Sequence, residues 1–239
     1  MAKEKHPSSG PSTGNAARRA RKDQRRREEE EAQRRRARRA SRRRAIAFMV
    51  AGAVGFAAIW FIQRAPSPQP LSAEAAAAAA AAGCSAVRTP VTGEPVRTHL
   101  PAGQSTAYPE RPATSGAHSD TPLPASPRVL DAPVDETQAV HSLEHAAVIL
   151  DYRIDGADAL PTGVVDALAG VAGASGATYL IPYPDLPART SLALTAWNKV
   201  MTCPGSITAD QATTIARGFT DAYGCTSNAP EPKAQGNGC

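Results

Sequence analysis

Four histidines provide most of the metal-binding chemistry that this sequence can offer. His141 and His145 lie four residues apart in the segment VHSLEHAA, and a helical turn over 136–145 would project both imidazoles from one face. That spacing allows two histidines to bind one metal ion. His99 and His118 lie upstream in a proline-rich region and can complete the site from a loop. Neutral imidazole suits Zn(II) or Cu(II), and the chain has only three methionines, which argues against a soft Cu(I) site.

Two other interpretations of these residues stay open. The imidazoles can instead hydrogen-bond the unpaired backbone of the proline-rich region. The segment HSLEH also fits His-x-x-Glu-His, the inverted zinc-peptidase motif, in which Glu144 would be the general base. Such a peptidase needs a third ligand from a downstream helix, where Asp221 is the candidate, because Glu231 falls in a tail that we expect to be loose. The motif also runs into a predicted strand, where a peptidase would continue its helix.

The charges divide the chain into two parts. Residues 1–44 carry 17 Lys/Arg against 6 Asp/Glu, whereas the remainder carries 10 against 16. Residues 45–62 then have no charge over 18 positions, about 27 Å of helix, which is close to the hydrocarbon thickness of a membrane. Three arginines precede this segment and only Arg64 follows it, so the positive-inside rule places the N-terminus in the cytoplasm. We expect an uncleaved signal anchor in the cell membrane, with the remaining chain on the outer side.

The basic cytoplasmic tail, residues 1–44, has no apolar face on which a core could form. Its arginines attract anionic headgroups, so membrane lipids are the expected partners of the tail and the transmembrane helix. Nucleic acid is disfavoured, because no aromatic side chain is interleaved with the arginines to stack on bases. Residues 63–83 follow as a Pro/Ala-rich linker, which we interpret as a semi-rigid stalk without a binding role.

The extracytoplasmic domain, expected at residues 84–226, has the pattern of an α+β fold. Three apolar segments predict strands and two segments with helical spacing predict helices. The strands are predicted at residues 146–153, 177–183 and 191–197, and the helices at 162–171 and 208–223. This order indicates a small mixed sheet with two helices, and the prolines of residues 89–133 indicate an irregular coat around it. Residues 227–239 are expected to be a disordered tail.

All four cysteines fall in the outer part, where thiols can be oxidised. A helix over 208–223 would hold its ends about 22 Å apart, which disfavours a bond between Cys203 and Cys225, because disulfide Cα atoms must lie within about 7 Å. We therefore expect Cys84 to bond to Cys203 or to Cys225 and to close a long loop. Cys239 is expected to be a spare thiol.

Several motifs occur in order along the outer part of the chain: YPERPATSGAH, VLDAPVDETQAVHSLEHAAVILDY, LIPYPDLPARTSLALTAW, FTDAY and NAPEP. Together they resemble the bacterial domain-of-unknown-function family 3105 over about residues 84–232. Members of this family are typically single-pass membrane proteins, so the resemblance implies that layout but no activity. The family's usual Pro-Pro-Thr-Ser-Gly-Pro-His and His-Asn-Leu-Glu-His-Gly match here at the histidines and at Glu144. The chain departs from these patterns at Arg111, Ala113, Ala117, Ser142 and Ala146.

The sequence thus predicts a membrane-anchored, extracytoplasmic binding or scaffold domain with an envelope protein as its partner. Its candidate metal ligands, for Zn or Cu, are His99, His118, His141 and His145. The alternative is a zinc-dependent hydrolase that uses residues 141–145. The two hypotheses differ in the role of Glu144, which only a hydrolase needs as a general base.

Overall fold

The computed structural model describes residues 13–233 and residue 239, except for some side chains of the first helix that include those of residues 57–63. It divides into two compact units, Met1–Gln63 and Arg64–Cys239. The described residues of the first unit form helix α1 (Thr13–Gln63). Among the described residues, no helix is long and apolar enough to span a membrane. The transmembrane segment predicted at 45–62 includes residues 57–62, whose side chains are not among those described.

The second unit is a mixed α+β fold, which confirms the predicted class. Its helices are α2 (Ala73–Ala81), α3 (Glu136–Glu144), α4 (Thr162–Ala174) and α5 (Ala209–Tyr223). Its strands are β1 (His99–Leu100), β2 (His118–Ser119), β3 (Val148–Tyr152), β4 (Thr178–Pro182), β5 (Leu192–Ala196) and β6 (Lys199–Cys203). The three predicted strands and two predicted helices are all present as β3, β4, β5, α4 and α5. The prediction of two helices was too low, and β6 was not predicted.

The four longer strands form one mixed sheet in the order β4-β3-β5-β6. Strand β3 pairs with β4 in parallel and with β5 antiparallel, and β5 pairs with β6 antiparallel. Trp197 and Asn198 connect β5 to β6 in a two-residue turn, and Asn198 at its second position adopts φ +51°, a left-handed conformation that asparagine tolerates. Strand β3 lies inside the sheet and is covered on both faces, so its residues are buried without alternation. This explains why its sequence is a nearly continuous apolar run.

The sheet has a separate apolar core on each face. On one face, Leu150 packs with Leu168 of α4 and Phe219 of α5. On the other face, Ile149 packs with Leu143 of α3, together with Tyr179, Trp197 and buried residues of the proline-rich region. The second core carries the functional candidates, because α3 and the proline-rich region both lie over that face.

The alanine-rich segment before this domain is part of the fold, which corrects the expectation of a stalk over residues 63–83. The Ser72 hydroxyl accepts a hydrogen bond from the Ala75 N–H at 3.1 Å and caps α2. Ala75 and Ala79 are buried, and α2 packs against α5 at Gly218. A short alanine helix is marginal in isolation, so its order here comes from this packing.

The disulfides correct a second expectation. Cys84 bonds to Cys203, which is one of the two pairings foreseen, and joins the start of the domain to β6. Cys225 bonds to Cys239, so Cys239 is not a spare thiol. The two cysteines are 14 residues apart in the sequence, and Cys225 adopts φ +52°. The structure describes residues 227–233 of the segment that was expected to be a disordered tail, and residues 234–238 lie outside the described residues.

Asp151 is a carboxyl group enclosed in the second core, on the same face of β3 as Ile149. Its Oδ2 accepts a hydrogen bond from the Thr195 hydroxyl at 3.3 Å. Burial first, and then the charge of Glu136, raise the pKa of Asp151 well above its usual value of 3.8, and the Thr195 hydrogen bond only partly opposes this. The folded protein therefore holds this proton more tightly than the unfolded chain does.

Asp151→Asn should become more stable relative to wild type as pH rises. Because the pKa of Asp151 is raised in the fold, the native state binds more protons than the unfolded state above about pH 3.8. The free energy of unfolding of wild type therefore falls by about 1.4 kcal/mol per pH unit as pH increases toward the folded pKa. Asparagine carries no titrating proton and should remove that loss. Urea unfolding between pH 4 and 8 measures this, with the exposed Asp155→Asn as control; parallel pH profiles for wild type and Asp151→Asn would contradict it.

Gly218→Ala should destabilise the domain by about 1–3 kcal/mol through overpacking. A Cβ at this position would lie 2.3 Å from the Ala75 Cβ, so α2 would have to move away from α5. The matched control is Gly170→Ala in α4, where nothing lies within 4 Å and better helix propensity should stabilise by up to about 1 kcal/mol. Thermal unfolding measures both variants. Equal shifts would show that α2 does not pack on α5, and Ala75→Gly should rescue Gly218→Ala.

Candidate metal centre

Helix α3 places two of the four candidate histidines. Asp135 caps the helix by accepting a hydrogen bond from the Thr137 N–H at 2.8 Å. The helix ends at Glu144 with His145 as C-cap, so His141 and His145 lie one turn apart and their Nε2 atoms are 3.0 Å apart. The helical turn that the i,i+4 spacing requires is therefore present.

The turn after α3 has an alanine at a position where the backbone favours glycine. Ala146 adopts φ +66°, a left-handed conformation that favours glycine. Its N–H donates to the Leu143 carbonyl at 3.0 Å, and the Ala147 N–H donates to the Ser142 carbonyl at 3.0 Å. This closure ends the helix and sends the chain directly into β3, which fixes His145 at the boundary.

The other two histidines are placed by the parallel pair β1 and β2. The register opposes His99 to His118, and the ring centroids are 4.9 Å apart in a T-shaped arrangement. The His118 side chain is fully buried, whereas that of His99 is 50% exposed. The group is therefore closed at its base by His118 and accessible from solvent at His99.

Three of these imidazoles converge into what we call the histidine cluster, His99, His118 and His141. One ligand atom from each lies within 4.8 Å of the other two. Three atoms so spaced always have a common point within about 2.8 Å of each (4.8 Å divided by √3). A Zn–N bond is about 2.0–2.1 Å, so shifts of about 0.7 Å would bring all three nitrogens into bonding distance.

The second ring nitrogen of two cluster members is held by the backbone. His118 Nδ1 lies 2.7 Å from the Gly116 carbonyl oxygen, and His141 Nδ1 lies 2.6 Å from the Ser119 carbonyl oxygen. A carbonyl can only accept, so each Nδ1 carries the proton and donates it. A histidine that binds a metal through one nitrogen usually donates its other N–H in this way, because the contact fixes the tautomer and the ring orientation.

Glu144 places a carboxylate at the base of the cluster. Its Oε2 lies 2.9 Å from His118 Nε2 and 3.7 Å from His99 Nε2, and the residue is only 2% exposed. Both nitrogens of His118 thus face acceptor oxygens, so the ring must be doubly protonated, or Glu144 must be protonated, for both contacts to be hydrogen bonds. A metal ion bound to His118 Nε2 would supply positive charge to the Glu144 carboxylate without this additional proton.

The two histidines of the helix end are held in the form that binds metals. Burial lowers the pKa of His141 below its usual value, and the neighbouring His118 and His99 lower it further, against the opposing effects of the Ser119 carbonyl and Glu144. Burial, followed by the charge of His141, also lowers the pKa of His145. Since only the neutral imidazole can bind a metal, these shifts favour binding at neutral pH.

Sequence reasoning missed two residues of the site. Glu231 was expected to lie in a loose tail, but its Oε2 is 3.5 Å from His145 Nε2. Trp197 packs edge-on against His118, with ring centroids 6.1 Å apart, and is only 4% exposed. The signals were the motif NAPEP for Glu231 and the aromatic end of the strand LALTAW for Trp197.

The structure brings all four predicted ligands together, with His145 directly beside the cluster. Asp221, the helical ligand that a peptidase would need, is exposed on α5, and α5 packs on the opposite face of the sheet. Glu231 is thus the downstream carboxylate near the histidines.

One comparison with known proteins, the scan against family models, covers the region that contains this site. The sequence model of a family described as "Protein of unknown function (DUF3105)" matches residues 99–238. The matched region begins at His99 and contains all four histidines together with Glu144 and Glu231. No curated protein and no solved structure matches the chain.

Proposed function

The chain belongs to the DUF3105 family, and we propose that it is a membrane-anchored, extracytoplasmic binding domain whose histidine cluster holds Zn(II) or Cu(II). The observation that carries this proposal is the convergence of three imidazoles whose ligand atoms lie within 4.8 Å of one another. Two of the three rings are already oriented by backbone carbonyls, so metal binding requires little reorganisation.

The chemistry of the donors supports these two metals. The cluster offers imidazole nitrogens with one carboxylate at its edge, a set that suits Zn(II) and Cu(II). All four cysteines are in disulfides, so none supplies the thiolate that would favour Cu(I). The solvent exposure of His99 provides an entry path for the ion.

Two features support an extracytoplasmic location for the second unit. Disulfides persist in oxidising compartments, and the second unit contains two of them. The uncharged segment at 45–62 follows an arginine-rich tail, an arrangement that favours a cytoplasmic N-terminus. In this proposal the anchor holds the metal-binding domain at the membrane surface, where an envelope protein is its partner.

The hydrolase alternative has less support in the geometry. A general base must reach a metal-bound water, but the Glu144 Oε2 contacts His118 at 2.9 Å and the residue is buried. The helix also stops at Glu144, where a peptidase would continue it. Glu144 is placed as a partner of the imidazoles, which favours the binding function.

Metal binding is tested on the full chain in detergent, titrated separately with Zn(II) and Cu(II). Wild type should retain metal after gel filtration, and His118→Gln or His141→Gln should weaken binding by about 100-fold or more, because each removes a ligand whose orientation is already fixed. Isothermal titration gives the affinities. Trp197 in a Trp60→Phe background provides a second readout, since Cu(II) beside His118 should quench its fluorescence.

The matched control for these variants is His6→Gln, which removes the histidine of the basic tail and should leave binding unchanged. Wild type that retains neither metal would overturn the proposed function. Binding that is lost equally in His6→Gln would also overturn it, because the ion would then belong to the tail.

The topology is tested with epitope tags at the two ends of the chain in intact cells. Protease added outside should remove the C-terminal tag and leave the N-terminal tag protected, because the arginines before residue 45 retain that end in the cytoplasm. Immunoblots of both tags provide the measurement, and permeabilised cells are the control. Loss of the N-terminal tag alone would show the reverse orientation.

A further inference from the structure

Three side chains next to the histidine cluster form a second group of metal-ligand type. One ligand atom each of Glu144, His145 and Glu231 lies within 4.8 Å of the other two. The ligand atoms of the histidine cluster fall within the same limit. Because His145 Nε2 is 3.0 Å from His141 Nε2, the second group begins where the first one ends.

Glu231 is held in this position by the fold. Its backbone N–H donates to the Glu144 carbonyl at 3.0 Å, so the two residues are joined through the main chain. Just before it, the Asn228 side-chain amide donates to the Trp197 carbonyl at 2.8 Å, and Ala229 is buried in the second core. These contacts hold the main chain of Glu231 beside Glu144 and so restrict where its carboxylate can lie.

Glu144 connects the two groups. Its Oε2 faces His118 and His99 of the cluster, and the residue is also a member of the second group. A carboxylate has two oxygens, each with lone pairs, so it can bind one cation on each side. A buried carboxylate needs compensating positive charge, and two flanking cations would supply it.

The ligand types define which ion the second group would take. Two carboxylates and one imidazole form a harder set than the histidine cluster. Zn(II) accepts imidazole and carboxylate ligands together and has no strong geometric preference. Glu231 is 52% exposed, which leaves room for a solvent ligand at this position.

We propose that Glu144, His145 and Glu231 bind a second Zn(II) ion beside the one in the histidine cluster, and that the Glu144 carboxylate bridges the two ions. This inference rests on the proposed function, because the first ion is the one described there. It changes the chemistry of the site, since paired metal ions can hold the oxygens of one anionic ligand between them.

The experiment measures stoichiometry on the full chain in detergent, loaded with Zn(II), passed through gel filtration and analysed for metal and protein. Wild type should carry two ions per chain. Glu231→Gln should carry one, with the affinity of the tighter site changed less than about threefold, because the histidine cluster remains intact. Glu94→Gln is the matched control, an exposed glutamate outside both ligand groups, and should carry two.

Electron paramagnetic resonance of the Cu(II)-loaded chain tests whether the ions are adjacent. Two equivalents in wild type should give a spin-coupled spectrum, whereas Glu231→Gln should give the spectrum of an isolated Cu(II) ion. One ion in both wild type and Glu231→Gln would overturn this inference while leaving the proposed function intact. Two ions in Glu231→Gln would place the second ion elsewhere and overturn it as well. No ion in wild type would overturn both.

Discussion

The structure depends on how a proline-rich chain is held against one face of a sheet. Proline has no N–H and disrupts strand pairing, so this region cannot be secured by a regular ladder. Side chains of the underlying elements provide the hydrogen bonds instead. Glu136 accepts from the Ala113 N–H at 2.8 Å, and Ser142 accepts from the Leu123 N–H at 2.9 Å. Because both acceptors belong to α3, the coat and that helix are fixed to each other, and this contact brings His118 over His141.

The irregular chain is also attached to the edges of the sheet. Arg88 pairs with Val200 on β6, and Val129 pairs with Leu180 on β4, so the irregular chain covers both edge strands with short bridges. Covering an edge removes unpaired backbone groups that would otherwise invite association with another chain. Asn198 adds a further attachment, because its side chain both accepts from and donates to the backbone of Val91.

Two roles were considered for the histidines, hydrogen bonding to the backbone of the proline-rich region and metal binding, and the structure makes them compatible. In His118 and His141, Nδ1 satisfies a carbonyl of the coat, and Nε2 remains directed at the neighbouring imidazoles or carboxylate. Each imidazole thus completes the backbone hydrogen bonding of a chain with little regular structure and presents a ligand to the cluster. The structural contact is what orients the functional nitrogen, so the fold and the candidate site share the same interactions.

Local sequence determined the elements whose pattern is self-contained. The apolar run of β3, the amphipathic spacing of α5 and the i,i+4 pair His141 and His145 each follow from periods that a short segment carries by itself. The class of the fold and half of the histidine site were therefore predictable. Strand β6 was not, because two of the five residues in KVMTC are polar, so its pairing partner decides its conformation.

Tertiary structure alone decided the rest, for one physical reason: these contacts join segments that have no local period linking them. His99 and His118 meet because a two-residue parallel pair brings together positions 19 residues apart. Glu231 reaches His145 because main-chain hydrogen bonds draw the C-terminal segment back over α3. The alanines of α2 become core because Gly218 lets α5 approach them. Such long-range contacts depend on packing and burial, which composition and spacing do not encode.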